Sequence, residues 1–210
     1  MNLVSSIKNS TTAVRRAVSN FSRSSTKTNM QKLQAKGEDP ASVIVREALP
    51  GDIAALAAVQ VKAWAETYPS ARQLPDFQLR ERQWRQQFEV TDGSWFCIVA
   101  ENPKGEFVAF AKGMAYEHSD LADFSGELNK IYLLRDYQRL GLGTKLLCEV
   151  ARLFLDKGTT SMLLFGEATN PSGYFYKAMG AEKLYAENGE FHGGYGWRDL
   201  KKLASVCTGK

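Results

Sequence analysis

Between residues 131 and 155 three local patterns follow one another with no room for anything else. An apolar run, Ile131-Tyr132-Leu133-Leu134, comes first. A turn with two glycines follows, Gln138-Arg139-Leu140-Gly141-Leu142-Gly143. The stretch Thr144 to Leu155 then places apolar residues at 146, 147, 150, 151, 153 and 154, the spacing of one helical face. The order is strand, glycine turn, helix. Glycines let the backbone approach a ligand with no Cβ in the way. The first amides of a helix lack intrahelical acceptors, and the helix dipole adds partial positive charge there. Such an end is a ready site for a pyrophosphate.

Two nucleotide fingerprints are absent. A Rossmann turn needs G-x-G-x-x-G, and a Walker loop needs G-x-x-x-x-G-K-[ST]. The turn instead fits Q/R-x-x-G-x-G/A, which resembles the acetyl-CoA pyrophosphate loop of the GNAT (GCN5-related) N-acetyltransferases. The likeness runs from Glu127 to Gly143, where the chain resembles that family's strand 4 and loop almost position by position. Further on, Asn170 to Gly180, with Phe175 and Tyr176 together, resembles the family's N-x-x-x-x-F-Y-x-x-x-G segment. A lone glycine turn is a common structural connection; two motifs in order make the resemblance specific. It spans about 43–200, with motif detail only in 126–180.

The resemblance implies an α/β fold: a mixed, mostly antiparallel sheet of six or seven strands flanked by about four helices. In that family strands 4 and 5 splay apart for acetyl-CoA. The implied activity is acetyl transfer from acetyl-CoA to an amine, by direct attack in a ternary complex and without a metal. Backbone amides from Arg139 through Leu140, Gly141, Leu142 and Gly143 to Thr144 would cradle the pyrophosphate, with Gln138 opening the loop and charge from Arg139 and Lys145. Ile131, Tyr132 and Leu133 would offer a backbone edge to the pantetheine, with the Leu133 amide polarising the thioester oxygen. Asn170 would cap the next helix and bond the pantetheine. Tyr176 is the expected proton donor to the leaving sulfur, since a phenol is protonated at neutral pH. Glu127 is the expected base, directly or through water. Glu66 and Tyr68 are second-rank acceptor contacts, and Glu117 belongs to an acidic loop, 117–123, suited to a small cationic amine. A protein or peptide acceptor, or a non-catalytic acyl-CoA-binding module, are the alternatives.

With 210 residues, 44% of them hydrophobic, one domain with a good core is expected over 41–205. No apolar run reaches the roughly 18 residues that a membrane span needs. Cys97, Cys148 and Cys207 are far apart and odd in number, which reads as reduced thiols in a reducing compartment. Only His118 and His192 occur, and no cluster suggests a metal. Residues 1–36 carry seven basic residues and no acid, leaving 20 basic residues against all 23 acids elsewhere. The first 40 residues therefore read as a basic extension. A disordered or loosely helical extension is the favoured reading; a mitochondrial or plastid transit segment is the alternative to a cytoplasmic protein. Nucleic-acid binding is disfavoured, because Phe21 is the extension's lone aromatic. A homodimer is left open.

The remaining elements follow from periodicity and turn residues. Val43 to Ala48 reads as a strand, and Asp52 as the cap of a helix over 53–65. Residues 76–90 read as a charged helix, 95–100 and 107–116 as a hairpin, and 161–165 as a buried strand. Residues 181–185 and 195–200 read as closing strands.

Overall fold

The computed structural model describes residues 25–208. A helix over 25–35 (α1) leads into β1 (Ile44–Glu47), α2 (Ile53–Thr67) and α3 (Phe77–Glu89). The hairpin β2 (Trp95–Glu101) and β3 (Phe107–Ala115) follows, then β4 (Gly126–Leu133) and α4 (Leu142–Asp156). The chain ends with β5 (Met162–Phe165), α5 (Gly173–Ala178), β6 (Glu182–Leu184), β7 (Gly194–Trp197) and α6 (Leu200–Thr208). The seven strands form one sheet in the order β1-β2-β3-β4-β5-β7-β6. Every pairing is antiparallel except β4 with β5. This is the expected mixed, mostly antiparallel sheet, with α1 and α6 added to the helices foreseen.

Helices cover both faces. Alternation along β2 and β3 sends Phe96 and Phe110 to opposite sides. Phe154 of α4 meets Phe96 edge-on at 4.9 Å, and Trp84 of α3 meets Phe110 edge-on at 5.3 Å. The helical stripe of α4 supplies the deepest contacts: Leu146, Leu147, Val150 and Ala151 are fully buried. A sheet buried on both sides explains why β2 and β5 read as nearly continuous apolar runs.

Four expectations need correction. First, Asp52 does not cap α2 with its side chain; its carboxylate accepts from the Leu49 amide at 2.8 Å and pairs with Arg46 at 2.7 Å. Second, the closing strand expected to reach 200 ends at Trp197, and Leu200 starts α6. Leu200 and Leu203 are buried as α6 packs on α4. Third, that packing brings Cys148 and Cys207 together as a disulfide, with Cα atoms 6.0 Å apart, despite 59 residues between them. Cys97 alone is free, and it is buried. Fourth, the extension does not run to residue 40. Leu33 of α1 is fully buried, and Lys32 and Lys36 pair with Asp136 at 3.1 and 2.8 Å. Residues 25–39 thus pack on the domain; the arm and transit readings now concern 1–24, which lie outside the described residues.

Candidate active site

The sheet opens between β4 and β5. Only Gly126–Met162 and Glu127–Leu163 pair there, whereas seven pairs join β3 to β4. Beyond Glu127 the two strands part, and a cavity of about 480 Å³ occupies the gap. Its walls include Ile131, Tyr132 and Leu133 of β4, Leu164 and Phe165 of β5, and Tyr176 of α5. The direction of the β4 backbone follows from one bond. The Leu134 amide donates to Val108 O at 2.9 Å, toward β3. Backbone groups alternate, so the amides of Leu133 and Ile131 turn the other way, to the open edge. Tyr132 turns its backbone to β3 and offers the cleft only its side chain. A register shift opposite Lys112 and Gly113 leaves Asn129 as an extra residue in β4, a bulge beside the cleft.

The glycine turn forms one end of the cavity. Gly141 sits at φ +86°, a left-handed position at the start of α4 that side chains adopt at a cost. Arg139 also takes positive φ, +63°, the only described non-glycine residue to do so. The Lys145 amide makes the first α-helical bond, to Gly141 O at 3.0 Å. The amides of Leu142, Gly143 and Thr144 precede it and have no acceptor within the helix. The turn is braced from both sides. Gln138 Nε2 donates to Leu133 O at 3.1 Å. From behind, Asn29 of α1 donates to the carbonyls of Arg135 and Gln138 at 2.9 and 3.0 Å, and Thr26 to that of Arg139 at 3.2 Å. The side chains of Leu140 and Leu142 pack against the core, so the turn offers only their backbones. Lys145 is turned away: its Nζ donates to Val43 O at 2.7 Å.

The other end is made of side chains. Tyr176 is 9% exposed, with its ring 5.4 Å from Tyr195 and edge-on to Trp197 at 6.2 Å. Its hydroxyl has no hydrogen-bond partner among the described residues. Burial, with lesser contributions from Tyr195, Tyr132 and Tyr68, pushes its pKa up to about 12. Asn170 accepts from the Ser172 amide at 2.9 Å and donates to the Tyr68 hydroxyl at 3.0 Å. It therefore closes a turn ahead of α5, which begins at Gly173 rather than at residue 170. The Tyr68–Asn170 bond ties the end of α2 to the segment after β5, across the cleft.

Three residues expected at the site stand elsewhere. Glu127 lies where β4 is still paired to β5, outside the cavity wall, and accepts from Asn129 Nδ2 at 2.8 Å. Glu66 accepts from the Arg135 amide at 2.6 Å, behind the turn. Glu117 is exposed in its loop. The cleft instead draws charge from Lys130, Arg139 and Glu167. Lys130 stands just ahead of the apolar run 131–134, beside Asn129; Glu167 carried no signal.

The sequence model of the acetyltransferase (GNAT) family matches residues 58–181, more than half the chain. The chain belongs to the GNAT acetyltransferase family. It is 34% identical over 175 residues to the uncharacterized N-acetyltransferase YuaI of Bacillus subtilis, a match covering 79% of this chain and 99% of that one. Among solved structures, the PaiA N-acetyltransferase of Thermoplasma acidophilum in complex with coenzyme A superposes with a TM-score of 0.57 at 18% identity, over 74% of this chain and 98% of that one. YncA of Salmonella typhimurium, solved with its cofactor acetyl-CoA, gives 0.56 at 18% identity, over 75% and 94%. At that identity the two structures speak to the shared GNAT fold, of which the parted β4–β5 strands are part.

Proposed function

We propose that this protein acetylates an amine with acetyl-CoA as co-substrate, by direct attack within one cleft. The observation that carries the reading is the cleft's polarity: unpaired helix amides at one end and an unpartnered phenol at the other. The residues fit the co-substrate. The open amides of Leu142, Gly143 and Thr144 suit a diphosphate, with Arg139 adding charge. The exposed edge of Ile131 and Leu133 suits the pantetheine amides, as a peptide adds to a sheet. Acetyl-CoA supplies the acyl group, activated as a thioester.

The chain's own residues then position groups and move protons. The Leu133 amide, on the open edge, polarises the carbonyl that the amine attacks. As the carbon–nitrogen bond forms and the carbon–sulfur bond breaks, Tyr176 donates its hydroxyl hydrogen toward the sulfur. With a phenol near 12 and an ordinary thiol near 8.5, transfer of the proton even to the fully formed thiolate would cost about 5 kcal/mol. Tyr176 therefore acts as a hydrogen-bond donor to the charge developing on sulfur, which leaves as the thiolate. The amine must lose a proton. Glu167 is the carboxylate on the cavity wall, so we assign it the base role in place of Glu127. No covalent enzyme intermediate is needed when both substrates share the cleft.

The test is release of free CoA from acetyl-CoA in the presence of a panel of amines. Turnover with at least one class, lost in Tyr176→Phe while CoA affinity holds, supports the reading. Tight CoA binding with no turnover across the panel would instead favour a binding module.

A further inference from the structure

A second cavity, of about 200 Å³, lies between α3 and the sheet. Its walls carry three cations from three elements: Arg80 of α3, Lys112 of β3 and Lys130 of β4. Lys112 and Lys130 are register partners on adjacent strands, so two like charges stand side by side. Lys112 is only 5% exposed. Charges this deep are normally paired. Here none of the ion pairs among the described residues involves Arg80, Lys112 or Lys130.

Their partners are neutral. Lys112 donates to Gln87 at 2.6 Å, Lys130 to Asn129 at 2.9 Å, and Arg80 Nη1 to Gln83 at 2.8 Å. Arg80 Nε is buried and has no acceptor at all. A guanidinium with an unused buried donor, beside two ammonium groups that no carboxylate touches and that Glu127 offsets only from a distance, can take an anion. The position of the cavity matters as much as its charge. Lys130 lines both this cavity and the main cleft. A molecule whose amine sits in the cleft can therefore extend an anionic group past Lys130 toward Arg80.

We infer that this cavity is an anion subsite, and that the acceptor is an amine bearing an oxyanion, a carboxylate or a phosphate. The inference rests on the acetyl-transfer reading above and narrows its substrate class. It replaces the small cationic amine suggested by the acidic loop, whose Glu117 does not reach the cleft. The energetics agree. Burial, then the charge of Lys130, brings Lys112 down to about 8; burial, then Arg80, lowers Lys130 as well. An oxyanion among the three would offset these penalties.

Matched acceptor pairs test the subsite: an amino acid against its carboxamide, and phosphoethanolamine against ethanolamine, each with acetyl-CoA and the full chain. The anionic member of at least one pair is expected to show kcat/KM about tenfold higher or more, and Arg80→Gln to erase that gap through KM. If Arg80→Gln fails to fold, Lys112→Met is the second variant. Inorganic phosphate is also titrated into CoA-saturated protein and read by Trp84, which borders the cavity. A saturable fluorescence change, lost in the variant, is expected. Faster turnover of the neutral members, or an anion preference that both variants leave intact, overturns the subsite. If no acceptor turns over, the titration decides. A phosphate response that needs Arg80 keeps the subsite and sinks the transfer reading; no response sinks the subsite.

Discussion

The two ends of the cleft are built from different materials. The end proposed for the diphosphate is backbone: a glycine turn, three helix amides and a strand edge, contiguous from Ile131 to Thr144. The end proposed for the acceptor is side chain: Lys130, Glu167 and Tyr176 on the cleft wall, with Arg80 and Lys112 in the cavity beyond Lys130, on four elements and one loop. A backbone site must be written locally, because φ angles and helix starts depend on neighbouring residues. A side-chain site needs only that distant segments fold together. The first end should tolerate most substitutions that preserve the turn, while the second should fail one side chain at a time.

The largest effect expected is at the side-chain end. Tyr176→Phe should lower kcat by about a hundredfold or more, with the Kd for CoA unchanged within about twofold. Because its pKa is raised, Tyr176 stays protonated through the whole working range, and its contribution is lost only as pH rises through about 12. Any alkaline limb below pH 11 must therefore belong to another group, and should survive in Tyr176→Phe at reduced rate. Next comes Gly141→Val. A β-branched residue at φ +86° costs roughly 1–3 kcal/mol, so CoA should bind about 10- to 100-fold more weakly by calorimetry. Equal affinity would mean that the turn is not the grip.

A smaller loss is expected from Asn29→Ala. It removes two bonds to the carbonyls behind the turn, each worth about 1 kcal/mol, and should raise the KM for acetyl-CoA several-fold with kcat little changed. The smallest effect sharpens the contrast. Lys145→Met should leave CoA affinity within about twofold, since its ammonium is committed to Val43 O. A tenfold loss there would restore the charge role that the sequence suggested.

The same division explains what could be read from the sequence. Helix α4 was legible because its apolar stripe repeats at helical spacing, and the turn because two glycines interrupt it. The sheet order and the parted strands came from resemblance, not from periodicity. Glu127 looked like the base from its place at the head of β4, but the ladder still holds that point closed, and Asn129 takes its carboxylate. The acidic loop looked like a lure for cations, yet it folds outside the cleft. Asn29 lay in a stretch whose composition reads as a tail; only the fold shows that α1 docks behind the turn. Arg80 and Lys130 are 50 residues apart, and nothing local links them. The Cys148–Cys207 pair was hidden in the same way, by a return of α6 onto α4.

One measurement reaches the centre of this account: a crystal structure of the protein with CoA, read for two distances. The diphosphate oxygens should lie within hydrogen-bond reach of the Leu142, Gly143 and Thr144 amides, and the CoA sulfur within reach of the Tyr176 hydroxyl. A diphosphate held elsewhere, or a sulfur pointing away from β4 and Tyr176, would contradict it.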